Sequence, residues 1–537
     1  MKPLPILLSL ACALLLPASV HAADGSAPRC LYVEVAKLPV RYVGQGLAPA
    51  VDGTIDGTPA TMLVDTGDFD TQLTMNGANK RDLGLQMTGR MIEGVGGWSR
   101  LYAARVREVT LGPTKTRRSV YLSVIGDANL TPAFDAIIGA PFLLQADLEV
   151  DLSAKQVRFF RQRDCGKTDL AIWKEDTIVI PFESSRDRSP NPHFTVKVNG
   201  VKLDAIIDTG AHHTVMTTDA ARRIGIDLKG PDIKRSGYIV GVGSERAAQW
   251  TAHFKSVEIG NETIHDAELG ILESQGELST DVLIGQDFLR AHRVLFAMSQ
   301  KKLYIAYTGG TPFSRSAGLE PWMRAEAEGG NPDAQFTVAM MYGSGRGVAR
   351  DAAQAAAWLD KAAAGGEPHA NLLLGRRRLQ AGHASEAIPK LRAGLALLPA
   401  ERYGPLWLYT ARMRNGEPDL ARSELQASIK KQEDDWPRPI AEFYLGKLDA
   451  AGLLDAAGKD AKLARARSCQ ANGYMAEWHG AQGDQARADA LMATVRAHCG
   501  AAPAPAAAPA AAPAAAPAPA PATSQASDHA VPDPLST

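Results

Sequence analysis

This chain shows no excess of positive or negative charge: 58 Lys+Arg stand against 59 Asp+Glu, for a formal net charge of −1. That balance excludes the basic footprint of a nucleic-acid binder and the polybasic cluster of a lipid-surface anchor. Aromatic residues make up only 6 %, and no aromatic RNA-binding motif is present. The glycine-rich stretch Gly343-Ser-Gly-Arg-Gly347 lacks the lysine and Ser/Thr of a phosphate loop. Neither a G-x-S-x-G elbow nor an H-E-x-x-H zinc motif occurs. Cysteines at short paired spacing are missing too, which argues against a structural zinc. No cofactor and no metal is expected. Beyond the first residues, no stretch is apolar enough to cross a bilayer.

What is present begins with an address. Lys2 is followed by an apolar run from Leu4 to Leu16, and Val20-His21-Ala22 places small residues where a signal peptidase reads. Residues 1–22 are therefore expected to be a signal peptide, and the mature protein to be exported, periplasmic or secreted, without an integral membrane segment. Four of the five cysteines remain after removal: Cys30, Cys165, Cys469 and Cys499. In an oxidising compartment they predict two disulfides, with three pairings open. Position favours Cys30 with Cys165, which bracket a repeat, and Cys469 with Cys499, which sit on neighbouring predicted helices.

A chain of 537 residues exceeds what one core organises, and its internal repetition shows how it divides. The segment from Val51 to Asp65-Thr66-Gly67 parallels that from Phe194 to Asp208-Thr209-Gly210. Each reads as strand, Asp-Gly or Asn-Gly turn, strand. Each half later carries Gly-Val-Gly, at Gly94-Val95-Gly96 (with Gly97 following) and Gly241-Val242-Gly243. Each then gives an aspartate, apolar residues and a glycine, Asp135-Ala-Ile137-Ile138-Gly139 and Asp281-Val-Leu283-Ile284-Gly285, followed by a short apolar helix and an alternating strand. The features keep one order at a period of about 145 residues, which predicts duplication of a β-rich domain.

One Asp-Thr-Gly triplet is weak, because all three residues favour turns. Two triplets in matched contexts are not. On these residues, with the Met91-Ile92-Glu-Gly94-Val95-Gly96-Gly97 segment, residues 31 to 307 resemble the retropepsin-like aspartic peptidases of the pepsin superfamily. The resemblance implies an all-β bilobal fold in which Asp65 and Asp208 share a proton and act as acid and base on a protein or peptide substrate. It implies that Thr66 and Thr209 lock the two loops across a pseudo-twofold axis. Gly67 and Gly210 would let backbone N–H groups reach the carboxylates, and the Gly-Val-Gly segments would be flaps over an extended chain. One chain carries both halves, so the site should form within a monomer. The first half departs from the pattern: Asp68 stands where Ala or Ser is usual, with Asp70 near it. His212 and His213 occupy the corresponding place in the second half, on an extended segment that turns them to opposite sides. Trp98 beside the first flap could cover a substrate side chain. A rival reading of the same residues is a catalytically inactive scaffold that holds peptides without cleaving them.

The domain plan that follows is 1–22 signal peptide, 23–166 first lobe, 167–308 second lobe, 309–320 linker, 321–499 helices and 500–537 an Ala/Pro-rich disordered tail. Alanine-rich helical spacing from Trp322 to Gly366 resembles a Sel-like repeat, a relative of the tetratricopeptide repeat. Three further helical pairs are expected between Pro368 and Cys499, stacking as an all-α solenoid that binds a substrate protein or a partner.

Overall fold

The structure, a computed structural model, describes residues 30–499 apart from 96, 117–118, 127–133, 183–189, 231–232, 240–246, 274–279, 314–317, 399–400 and 431–435. The expected signal peptide and Ala/Pro tail lie outside the described residues, as do Gly96 and the second flap tip, Gly241-Val242-Gly243.

Up to Tyr307 the chain is mostly strand. Each half opens with a hairpin whose turn residues dictate it. Strand Ala48–Ile55 returns as Thr58–Val64 through Asp56 and Gly57, at φ 51° and 77°. Strand Phe194–Val198 returns as Val201–Ile207 through Asn199 and Gly200, at φ 50° and 81°. Two successive positive φ values are what Asp-Gly and Asn-Gly supply cheaply. The second strand of each hairpin then runs parallel to the later apolar triplet, with Ile138 opposite Val64 and Ile284 opposite Ile207. A short strand lies antiparallel on the triplet's other side, Gln72–Thr74 in one half and Val215–Thr217 in the other. Each ends in a threonine that caps a short helix: Thr74 Oγ1 accepts from the Gly77 amide at 2.9 Å, and Thr217 Oγ1 from the Ala220 amide at 3.1 Å.

The repeated aspartates pin these strands. Asp135 Oδ2 accepts the Thr61 amide at 3.1 Å and meets Lys80 and Arg81. Asp281 Oδ2 accepts the Asp204 amide at 3.0 Å and meets Arg223. Buried or half-buried carboxylates need such donors, so these residues are structural clamps.

One six-stranded antiparallel sheet joins the halves, in the order Leu31–Pro39, Gln156–Arg163, Asp147–Asp151, His292–Ala297, Lys302–Tyr307, Thr177–Pro181. At its seam Leu148 faces Phe296 and Val150 faces Val294, all four buried. Arg293 Nε donates to Asp151 at 2.8 Å across the same seam, and Ser299 donates its amide and hydroxyl to Asp147 at 2.8 and 2.7 Å. Beneath it, a single apolar core runs from Leu38 to Phe313 through both halves.

From Pro321 to Cys499 the described residues are helical. Pro321–Glu328 stops at Gly329-Gly330, and Asn331 starts the next helix, Pro332–Ser344, by accepting from the Asp333 and Ala334 amides at 3.0 and 3.2 Å. Ala352–Ala364 follows, capped by Asp351. Between Pro368 and Cys499 the described residues form eight helices, four pairs where periodicity predicts three. The shortest, Arg438–Tyr444, has only seven residues, too few turns to show a period. Each helix packs on the next along the chain, and Gly404–Arg414 also reaches Ala464–Ala481. The helices bury two cores. The first takes Tyr42 and Leu47 from the β region, whereas the second draws only on residues after Pro368. The segment read as a linker is anchored: Phe313 is buried and stacks on Phe288 with centroids 5.5 Å apart. Among the described residues no helix is long and apolar enough to cross a membrane.

Cys30 is bonded to Cys165 and Cys469 to Cys499. The first link closes 135 residues of chain. Replacing Cys30 and Cys165 with serine is expected to lower the thermal midpoint of the β region, with a loss on the order of 4 kcal/mol. Calorimetry of the parent and the double variant checks this, and coincident midpoints would show the link to be redundant with the sheet.

Candidate active site

Asp65 and Asp208 each follow the inner strand of a hairpin, and each amide is tied to the neighbouring triplet: Asp65 N–H to Ile138 O at 3.1 Å, Asp208 N–H to Ile284 O at 2.9 Å. The two triplets thereby hold the two loops at the same depth, and the aspartates meet. Their carboxyls are close enough for each to act on the other's ionisation. Asp65 Oδ1 accepts the amides of Gly67 and Asp68 at 2.9 and 3.1 Å, and Asp208 Oδ1 accepts those of Gly210 and Ala211 at 2.8 and 3.1 Å. Each glycine also lies against the opposite aspartate: a Cβ on Gly67 would sit 2.4 Å from Asp208 Cγ, and one on Gly210 would sit 2.4 Å from Asp65 Oδ2. No side chain fits at either position.

Crossed threonines fasten the loops together. The Thr66 amide donates to Thr209 Oγ1 at 2.9 Å, and the Thr209 amide donates to Thr66 Oγ1 at 3.0 Å. Each hydroxyl then donates onward, Thr66 to Ile207 O and Thr209 to Val64 O, both at 2.7 Å. All four groups are buried and satisfied, where an unpaired group would cost about 1–3 kcal/mol. Two side-chain amides complete the frame. Asn191 Nδ2 donates to Thr66 O at 2.6 Å, and Gln286 Nε2 donates to Thr209 O at 2.9 Å. Sequence reasoning missed both. Gln286 had a signal in its place directly after the Leu283-Ile284-Gly285 triplet, whereas Asn191 sits between two prolines with no periodicity to mark it.

Desolvation pushes both aspartates above the usual carboxyl range. For Asp65 the charges of Asp208 and then Asp68 raise it further. Two close carboxyls ionise in steps that belong to the pair, and loss of the first proton makes loss of the second harder. Asp68 is itself pushed up to about 6, chiefly by burial. Its oxygens accept Gln72 Nε2 at 2.8 and 2.9 Å, and Oδ1 also accepts the Asp70 amide at 3.0 Å. Asp70 is engaged elsewhere, accepting the Ser123 hydroxyl at 3.0 Å.

On the other side, burial lowers the pKa of His212 to about 3, helped by the charges of His213 and Arg290, so its ring is neutral in ordinary buffers. The ring lies against Gly46, where a Cβ would sit 2.3 Å from Nε2. His213 Nδ1 is 3.7 Å from Asp287, whose carboxylate holds the Thr214 amide and hydroxyl. Among the described residues no group of three or more His, Cys, Asp or Glu could hold a metal ion.

The segment expected to be the first flap forms a hairpin of Leu85–Gly94 and Gly97–Val106, with Gly94 paired to Gly97 at its tip. Val95 packs against Ile206, Val215, Ala247, Leu272 and Leu283 of the second half. Trp98 is 56 % exposed.

Residues 51–142 match the family described as "Aspartyl protease", and residues 194–291 match "gag-polyprotein putative aspartyl protease". Both segments are thus similar to aspartic-protease domains. Among curated relatives, this chain is similar to Protein DDI1 homolog 1 of Rattus norvegicus, 32 % identical over 117 residues, 22 % of this chain and 27 % of that protein. Protein DDI1 homolog 1 of Homo sapiens is 30 % identical over 129 residues, 24 % and 31 % of the two chains. Protein DDI1 homolog 2 of Danio rerio is 30 % identical over 171 residues, 31 % and 38 %. The chain thus spans well under half the length of these relatives. A crystal structure of aspartic proteinase from Irpex lacteus is 14 % identical, covering 52 % of this chain and 98 % of that one, with a TM-score of 0.34 that is too low to bear on the fold.

The charge of Asp68 raises Asp65, so Asp68→Ala is expected to lower the pH at which the pair gives up its shared proton, by about one unit. Carbon-13 titration of the aspartate carboxyls reads this directly, and an unmoved midpoint would show that Asp68 does not act on the pair. The same raised pKa makes protonated Asp68 a stabilising group below its ordinary value of 3.8, and that contribution is lost as pH rises through about 6.

Proposed function

We propose that this protein is an aspartic endopeptidase in which Asp65 and Asp208 activate a water between them. The observation that carries the reading is the close approach of two desolvated carboxyls, each fed by two backbone amides and each lying against the other loop's glycine. In the singly protonated pair, the ionised carboxylate takes a proton from water as it attacks the peptide carbonyl. The protonated partner donates to the carbonyl oxygen, and the two exchange roles as the amine leaves. The matched lobes support this reading, since general acid and general base have to be two groups in different protonation states. His212, neutral and packed on Gly46, is a wall of the site and takes no proton.

The substrate is an extended protein or peptide segment, held by backbone hydrogen bonds between the flap Leu85–Val106 and the floor of the cleft. The site is completed within one chain, so the working unit is a monomer. The apolar run at Leu4–Leu16 and the two disulfides support an exported, periplasmic or secreted protein. The helices from Pro321 onward serve as a Sel-like, tetratricopeptide-type solenoid that recruits a substrate protein or partner.

Asp208→Asn is expected to abolish cleavage of a peptide library by the mature chain, by at least about a thousandfold, with thermal unfolding unchanged or slightly improved because a buried charge is removed. The parent's kcat/KM should be bell-shaped in pH. Cleavage at the parental rate by the variant would refute the mechanism. A parent that binds library peptides and leaves them whole would make the lobes a peptide-holding scaffold.

A further inference from the structure

The helical region begins where the protease lobes end, yet its first helix reaches the floor of the site. Arg290 closes the short helix Gln286–Leu289 of the second half, and its guanidinium lies against two neighbouring rings from elsewhere. Its Cζ is 3.7 Å from the centroid of Trp322, on helix Pro321–Glu328, and 5.3 Å from that of Tyr42, in the first half. The two rings are themselves 5.3 Å apart. A cation stacked this closely on aromatic faces is held in place. Asp287 and Glu320 are the acidic groups around it.

The inner end of Arg290 has a specific task. Its Nη2 donates to Gln286 Oε1 at 2.9 Å, and Gln286 Nε2 donates to Thr209 O at 2.9 Å. A glutamine amide has one donating and one accepting end. Arg290 has no acceptor, so it fixes the amide with its nitrogen toward Thr209. With the amide turned over, two oxygens would face each other beside the crossed threonines. Gln286 is fully buried, which leaves no water to correct the fault. The next helix braces the neighbouring loop. Asp333 accepts the Gly44 amide at 2.8 Å, Asn331 donates to Tyr42 O at 2.9 Å and Thr337 donates to Gln45 O at 3.2 Å. That loop includes Gly46, which lies on His212.

We propose that Arg290 is a positioning residue for the aspartate pair, through which helix Pro321–Glu328 sets the geometry of the Thr209 loop. The helical region is then part of the machinery that aligns the site, in addition to any recruiting role. The proposal rests on the aspartic-peptidase reading above for its kinetic consequence, but its structural claim can be read without turnover.

The test is a double-mutant cycle in the full-length chain. Arg290→Met is expected to lower kcat by about tenfold with KM within about twofold, because the loop is misplaced while the cleft is intact. Arg290→Lys, which keeps a cation and a donor, should recover most of the loss. Trp322→Ala should reproduce part of it from the far end. In a Gln286→Leu background Arg290→Met should cost little more, since the relay is already broken. Hydrogen exchange of the peptide covering residues 205–212 is followed in parallel. It should quicken in Arg290→Met and Trp322→Ala, but Arg290→Met should add nothing once Gln286 is leucine. Equal, additive effects of Arg290→Met in both backgrounds, or unchanged exchange at 205–212, would overturn the proposal. A parent that cleaves nothing while the exchange pattern holds would refute the peptidase reading and leave the relay standing.

Discussion

Two carboxyls do not stay together in a desolvated cleft by their own attraction. Each one's charge opposes the other's, and the chain must hold them against that repulsion. Here the restraint is the crossed pair of threonines, in which each amide reaches the opposite hydroxyl and each hydroxyl reaches the opposite strand. The rest of the β region can be understood as what this crossing requires. The parallel triplet strands fix the depth of each loop, the buried amides of Asn191 and Gln286 satisfy the threonine carbonyls, and glycine is needed where each loop touches the other's aspartate. The six-stranded sheet beneath keeps the halves in register, with its seam closed by apolar pairs and by Arg293 on Asp151.

Much of this was legible because it is local. Asp-Gly and Asn-Gly turns, apolar strands and the Asp-Thr-Gly triplets are short patterns, and their twofold recurrence makes them specific. The groups that stabilise the site across long separations were not legible. Asn191 acts on Thr66, 125 residues away, and nothing in Pro190-Asn191-Pro192 announces it. Arg290 ends a four-residue helix visible in the sequence, but its burial depends on Tyr42 and Trp322, one far upstream and the other beyond the glycine-rich segment. The helical region was under-counted for a related reason. Its shorter helices are defined by caps and by packing on neighbours, and too few apolar positions repeat to reveal them one by one.

The halves are alike in topology and unlike in what covers them. In the first, Leu63, Ile125 and Ile137 are covered by Val43 and Phe134, with Ala48 packed alongside. In the second, Ile206, Leu272 and Leu283 receive Val95 from the opposite flap. The hairpin that supplies Val43 is the one the helices grip through Gly44 and Tyr42. The helices thus grip a symmetric frame through a loop of its first half.

Asp68 illustrates what that freedom permits. In a site assembled from two copies of one chain, any residue placed beside one aspartate is placed beside both, and a carboxyl here would bring four acids to a single point. Fusing the copies removes that penalty. A lone acidic neighbour can then tune the pair from one side, while its counterpart, Ala211, stays neutral and small. The acidity of such a centre can be adjusted from one side alone, whereas in an obligate homodimer every substitution acts twice.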